Sequence, residues 1–283
     1  MASFTNFATL SYNGGTTNSN IVTGEILEAL TAVKTAVSAS YSAGDRITYA
    51  LSLVNTGTAA VTDYTVTDNL GGYTVGANTV YPLAYNAGTV RYYINGVLQA
   101  APTVTAGPPL TVTGLTVPAG GSAVLIYETT ATPVAPLATG SSITNTATIT
   151  GGGLTTPITA QATVETANSA DLTISKALSP TTVTENGRIT HTFVISNTGN
   201  TEATATGNVV VTDTFAPILR NIAVTYNGTA WTEGTNYTYN AATGVFTTLA
   251  GQITVPAASF TQNTDGTFTV TPGTATLVIT GTV

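Results

Sequence analysis

The chain has 283 residues, a net charge of −7 and only six basic side chains, which argues against the basic, phosphate-tracking surface that a nucleic-acid partner needs. No apolar run approaches the roughly 20 residues that span a bilayer, so membrane insertion is not expected. The N-terminus also lacks the charged and apolar regions of a signal peptide, which leaves the route of export open. Cysteine is absent, and a protein living outside a cell would have to hold together without disulfides. Thr, Ala, Gly and Val dominate, and turn pairs such as Asn95-Gly96 and Asn227-Gly228 separate short alternating runs. That pattern predicts antiparallel β-sandwiches with little helix.

In chain order, the first element is SFTNFATLSYNGG, residues 3–15. EILEALTAVK (residues 25–34) has apolar spacing that a helix could use, but its end aligns with the strand-like DLTISK (residues 171–176), so that end reads as strand. ITYALSLVNTG (residues 47–57) and a TVTD ending at Asp68 follow. The stretch 72–115 carries Tyr81, Tyr85, Tyr92 and Tyr93, and then come the strands AVLIYETTAT (residues 123–132) and SITNTATITGGG (residues 142–153). From DLTISK the series begins again, with ITHTFVISNTG at residues 189–199, a VVTD ending at Asp213 and TATLVITGTV at residues 274–283. The expected fold is all-β: a donor segment (1–28), a first immunoglobulin-like domain (29–167) and a second (168–283) that lacks its closing strand. The lookalike of that strand is the first element, where Thr-Asn-x-Ala-Thr around Asn6 repeats the pattern around Asn145.

The chain has two lysines, Lys34 and Lys176, each 15 residues before an equivalent strand position, Tyr49 and His191. Alternation along a strand puts Lys34 with Leu30 and Ala32, and Lys176 with Leu172 and Ile174. Asp68 falls with Val66 and Leu70, Asp213 with Val211 and Phe215, Asn145 with Ile143, Ala147 and Ile149, and Asn6 with Phe4, Ala8 and Leu10. All six polar side chains are therefore expected on buried faces. Burying an ammonium or a carboxylate costs several kcal/mol, and desolvation favours a neutral amine beside a protonated acid. Such an amine is a nucleophile. It can attack the side-chain carbonyl of a neighbouring Asn while the acid polarises that carbonyl, expelling ammonia and leaving an uncharged Lys–Asn isopeptide bond. The plainer alternative is a buried salt bridge with Asn as a hydrogen-bond partner. Glu128 could supply the acid, but Thr280 is its counterpart and Tyr127 and Thr129 suggest that it faces the other way, so Asp68 is preferred. His191 reads as a packed strand residue because no second His or Cys lies nearby to share a metal. The sequons at Asn227 and Asn236 read as chance in a Thr-rich chain. No Ser-His-Asp arrangement, acid cluster or phosphate loop stands out.

The order of a Lys strand, then Gly44-Asp45 with Thr48-Tyr49 and Asn55-Thr56-Gly57, then a VTD strand, then a TNTAT strand resembles the conserved-repeat domains of bacterial surface proteins, catalogued as domain of unknown function eleven. The resemblance runs from about residue 30 to Val283. It implies immunoglobulin-like sandwiches and, through related pilus and adhesin domains, self-formed Lys–Asn bonds assisted by an acid. Carried over by position, it makes Lys34, Asp68 and Asn145 the set of the first unit, with Lys176 and Asp213 in the second and Asn6 the candidate to complete it. An open sheet edge invites a donated strand, and donor and acceptor surfaces that differ generate an open filament. The spacing from Asn6 to Lys34 (28 residues) is close to that from Asn145 to Lys176 (31 residues). The expected protein is then a pilin-like or spore-appendage-like structural subunit in a head-to-tail homopolymer on a cell or spore surface. It uses no cofactor and is no enzyme toward other molecules. The runner-up is an adhesin stalk or tip binding a host protein or glycan through the tyrosine-rich stretch.

Overall fold

The computed structural model describes residues 2–26 and 29–283. Among these residues every regular element is a strand except a three-residue 3-10 turn at Ala205–Gly207. The N-terminal segment is a hairpin. Strands β1 (Ala2–Asn6) and β2 (Thr9–Tyr12) run out, and β3 (Gly15–Asn18) and β4 (Val22–Ile26) run back. Asn6 lies opposite Val22 and Leu10 opposite Thr17, and the Ser19 N–H donates to the Ala8 carbonyl between the two ladders. Phe4, Phe7, Leu10, Tyr12, Ile21 and Val22 are all exposed on it.

The chain divides into two compact units, one comprising the described residues up to Pro136, this hairpin included, with Ser142–Glu165, the other Leu137–Ser141 with Thr166–Val283. The first contains β5 (Leu30–Ala36), β6 (Ser40–Tyr41), β7 (Arg46–Asn55), β8 (Val61–Asp68), β9 (Tyr73–Val75), β10 (Asn78–Val80) and β11 (Leu83–Tyr85). It continues with β12 (Arg91–Ile94), β13 (Val97–Leu98), β14 (Thr103–Thr105), β15 (Leu110–Val117), β16 (Ser122–Ala131), β17 (Ser142–Gly151) and β18 (Ile158–Thr166). Leu30–Ala36 is a strand, as the repeat alignment requires, while Leu27 and Glu28 lie outside the described residues. One sheet has the order β13-β12-β16-β7-β5, and the facing sheet β14-β15-β8-β17-β18-β6. Strict alternation builds the core between them. Every second residue of β16 is buried, and Leu51, Leu53, Val66, Leu115 and Ile149 have almost no exposed surface.

The second unit contains β19 (Leu172–Ser179), β20 (Arg188–Asn197), β21 (Thr212–Thr214), β22 (Arg220–Tyr226), β23 (Thr229–Trp231), β24 (Tyr237–Asn240), β25 (Val245–Thr248), β26 (Ser259–Gln262), β27 (Phe268–Thr271) and β28 (Gly273–Thr282). Its first sheet, β19-β20-β28-β22-β23, repeats the order β5-β7-β16-β12-β13. Its second sheet is shorter. β24-β25-β21 matches β14-β15-β8, and among the described residues no strand follows β21. Both Asn-Gly pairs form the expected tight turns, with φ of +48° and +80° in each, a conformation that Asn and Gly tolerate best.

The repeated Asn-Thr-Gly has a structural task. Asn55 is buried and its Nδ2 donates to the Ala59 and Pro118 carbonyls, and Asn197 does the same to Thr201 and Pro256. Each Oδ1 accepts from a glycine N–H two residues on. The side chain thus replaces strand partners where the backbone turns.

Candidate functional site

Lys34, Asp68 and Asn145 meet inside the first unit. Lys34 projects from β5 and Asp68 ends β8, while Asn145 lies on β17 two residues from Ala147, which pairs with Asp68. The Lys34 Nζ and Asp68 Oδ2 are 2.5 Å apart, and the two side chains are 0% and 1% exposed. The Asp68 Oδ1 accepts the Leu70 N–H at 2.9 Å, and its Oδ2 also accepts the Tyr127 hydroxyl. Asn145 is fully buried, yet neither its Oδ1 nor its Nδ2 has a hydrogen-bond partner. A buried amide left unpaired costs about 1–3 kcal/mol, so the site holds Asn145 at a standing penalty.

Tyrosines wall the site. The Lys34 Nζ lies 4.8 Å from the centre of the Tyr49 ring and 5.9 Å from that of Tyr127, and the two rings stack. Both hydroxyls are close enough to feel the Asp68 charge and the Asn145 dipole, although neither makes a well-formed hydrogen bond to that amide. Burial, reinforced by Asp68, pushes both phenols up, so they stay protonated. Burial pulls the Lys34 amine down to about 8, against the opposing attraction and hydrogen bond of Asp68. Neither tyrosine stands out as a site residue from sequence. The available signal is that Tyr127 alternates with Ala123 and Leu125 on the inward face of its strand.

The second unit repeats the pair without the cover. Lys176 Nζ and Asp213 Oδ2 are also 2.5 Å apart, but their side chains are 41% and 18% exposed. Lys176 lies over the Phe193 and Phe215 rings at 5.3 and 5.5 Å. The expectation that Lys176, Asp213 and Asn6 are buried does not hold and is corrected by the structure. Seven of the eight residues of β19 are exposed, and so are Asn6, Phe4, Ala8 and Leu10. The apolar faces are where alternation puts them, but no strand of the described residues lies over them. A groove of about 150 Å³ opens there, lined by residues including Leu172, Ile174, Ile195, Val209 and Val211. His191 and Ile279 pair across β20 and β28 where Tyr49 and Tyr127 pair across β7 and β16. His191 packs on Phe215 at 4.7 Å with its Nδ1 unpartnered, and burial together with the Lys176 charge lowers its pKa.

Glu128 faces away from the site, 3.5 Å from Arg46 at the surface. Tyr92 is a core residue whose hydroxyl donates to the Thr116 carbonyl, and Tyr81, Tyr85 and Tyr93 are half-buried.

No family model matches the chain and no curated protein matches it, so the conserved-repeat resemblance rests on the motif residues alone. Among solved structures it is similar to BcpA, the major pilin subunit of Bacillus cereus, at 14% identity over 96% of this chain and 73% of that one, with a TM-score of 0.37. The pilus backbone RrgB from Streptococcus pneumoniae matches at 13% identity over 86% of this chain, with a TM-score of 0.36. The collagen-binding subdomain of the Enterococcus faecalis surface protein ACE matches at 11% identity over 50% of this chain and 99% of that one, with a TM-score of 0.32. The chain spans 55% of the pneumococcal protein's own length. Likenesses at this level assign no functional residue.

Proposed function

We propose that this protein is a structural subunit of an extracellular filament on a cell or spore surface, whose copies join head to tail by donating the N-terminal strand to the second unit of a neighbour. Lys–Asn amide bonds seal both kinds of junction, Lys34 to Asn145 within a chain and Lys176 to Asn6 between chains. One observation carries the reading. The pair Lys176–Asp213 has the geometry of Lys34–Asp68 but no strand of the described residues above it, while the segment that resembles β17 stands exposed at residues 4–12.

The chemistry needs only the residues of the chain. Lys34 passes its extra proton to Asp68, and the free amine attacks Cγ of Asn145. Asp68 donates to the developing oxyanion, Tyr127 steadies the carboxyl group, and a Lys34–Asn145 C–N bond forms as the Cγ–Nδ2 bond breaks. The leaving nitrogen departs as ammonia, having gained the hydrogen that the lysine nitrogen loses. The product carries no buried charge and Asn145 no longer has an orphaned amide. In the second site Asp213 takes the part of Asp68. The reaction is directed at the protein itself and turns over no other substrate.

Negative-stain microscopy of the purified full-length chain tests the reading. Long fibres of repeating sandwiches are expected, and dispersed two-unit particles at all concentrations would reject it.

A further inference from the structure

The open face above Lys176 and Asp213 is wider than one strand. In the first unit both β17 and β18 lie beyond β8, and β6 pairs with the far edge of β18. Tyr41 of β6 is fully buried there. Counting seven residues on from each lysine, Tyr41 corresponds to Val183, which is 37% exposed. A single strand laid against β21 would take the place of β17 and leave Val183 in water. A second strand is needed to reach it.

The N-terminal segment already carries two paired strands, and their register copies that of β17 and β18. Ser3 pairs with Glu25, Phe4 with Gly24 and Asn6 with Val22; Ser142 pairs with Glu165, Ile143 with Val164 and Asn145 with Ala162. The Phe4 ring lies across Gly24 and occupies the space that a Cβ there would need. Phe4 with Gly24 thus fills in one piece the space that Ile143 and Val164 fill in two.

We infer that the donated element is the whole hairpin, residues 2–26 of a second copy, and that it binds as a preformed pair of strands. This rests on the assembly reading above. The register of β17 on β8 places Ala8 opposite Asp213 and Leu10 opposite Val211, where Leu10 enters the groove beside Ile174. The second strand then lies between the first strand and Thr182–Val183, with Val22 turned to the core as Ala162 is. The occupant is another copy because of chain order. The β17–β18 hairpin completes the unit that precedes β19, not the unit to which β19 belongs. By the same rule the hairpin ahead of β5 does not belong to the unit that β5 opens, whose β17 and β18 are already in place, and the open second unit of a second copy is the acceptor that its register fits. A hairpin on its own is marginal in water, and one that arrives paired spends less free energy on ordering when it docks.

The test uses three full-length variants, Phe4→Asp, Val22→Asp and Val183→Asp, with Thr23→Asp on the outward face as control. All four positions are exposed in the free chain, so monomer unfolding should stay native-like. Sedimentable fibre should fall at least about tenfold for each of the three and hold for the control, because each places an unpaired charge in the docked core. If Val22→Asp and Val183→Asp assemble normally while Phe4→Asp fails, a single strand is donated and the hairpin is overturned with the assembly reading intact. If all three assemble normally, the assembly reading falls and takes the hairpin with it.

Discussion

Lys34 with Asp68 and Lys176 with Asp213 are one device in two settings. The separation is 2.5 Å in both, and both pairs join an edge strand to a strand of the facing sheet. The covering differs most: β17 closes over the first pair, and nothing among the described residues closes over the second. The comparison teaches that the charged pair is desolvated only where a strand covers it. Burial is the largest influence pulling Lys34 down, and it outweighs the attraction of Asp68. Under the proposed assembly the second pair receives the same desolvation only when a neighbour docks, and the docking strand brings the missing Asn. Bond formation is then timed by assembly, because the reactive state does not exist until the joint does.

The contrast can be broken most forcefully at the acids. Asp68→Ala leaves an uncompensated buried amine and should lower stability by about 3–5 kcal/mol in chemical denaturation. Asp213→Ala in the unassembled chain should cost under about 1 kcal/mol, because water reaches Lys176. Equal losses would mean that the two sites do not differ in kind.

Acidity sharpens the same contrast. The proposed step moves the Lys34 proton to Asp68 inside the site, so ammonia release from freshly refolded chain should be level with pH below about 8 and fall above it, where the amine gives its proton to water and Asp68 has none to donate. A rate that climbs about tenfold per pH unit up to that value would contradict the internal transfer. An Asn145→Ala chain keeps the amine. Its unfolded state binds the proton more tightly than its folded state between about 8 and the ordinary 10.5, so stability should rise with pH across that window and be lost on descending through it.

Smaller effects separate the two walls. Tyr127→Phe removes a donor to Asp68 and should cost about 1–2 kcal/mol while slowing the first bond; Ile279 offers no such group to remove in the second site. The smallest effect is at His191, which is faced by Lys176, Asp213 and the Phe215 ring. Its folded pKa lies below the ordinary 6.5, so the unfolded state binds the proton more tightly and the second unit loses stability as pH falls through that range. His191→Phe should flatten this loss, as followed by thermal melts at descending pH.

Much of this is legible in the chain. Alternation puts Lys34, Asp68 and Asn145 on inward faces, and two copies of Asn-Thr-Gly and Val-Thr-Asp expose the repeat. Alternation reports which face is apolar, not whether anything covers it. Lys176 and Ile174 therefore read as buried although they stand open in the isolated chain. Tyr127 escapes notice for a related reason: an inward tyrosine reads as core, and its hydroxyl acquires meaning only when the Asp68 carboxylate is found beside it. The second strand of the N-terminal hairpin is hidden because Gly24 does not resemble Val164 as a residue, and only the structure shows the Phe4 ring filling the space beside it.

The central claim is that Asn6 of one copy becomes joined to Lys176 of the next, and boiling assembled fibres in detergent tests it most directly. A ladder of multimers should survive. Tandem mass spectrometry should find a branched peptide linking the segments around Asn6 and Lys176, about 17 Da light for the lost ammonia. Lys176→Ala and Asn6→Ala should collapse the ladder to monomer while Lys34→Ala keeps it. Wild-type fibres that boil down entirely to monomers would contradict the claim and leave Lys176 and Asp213 as a salt bridge.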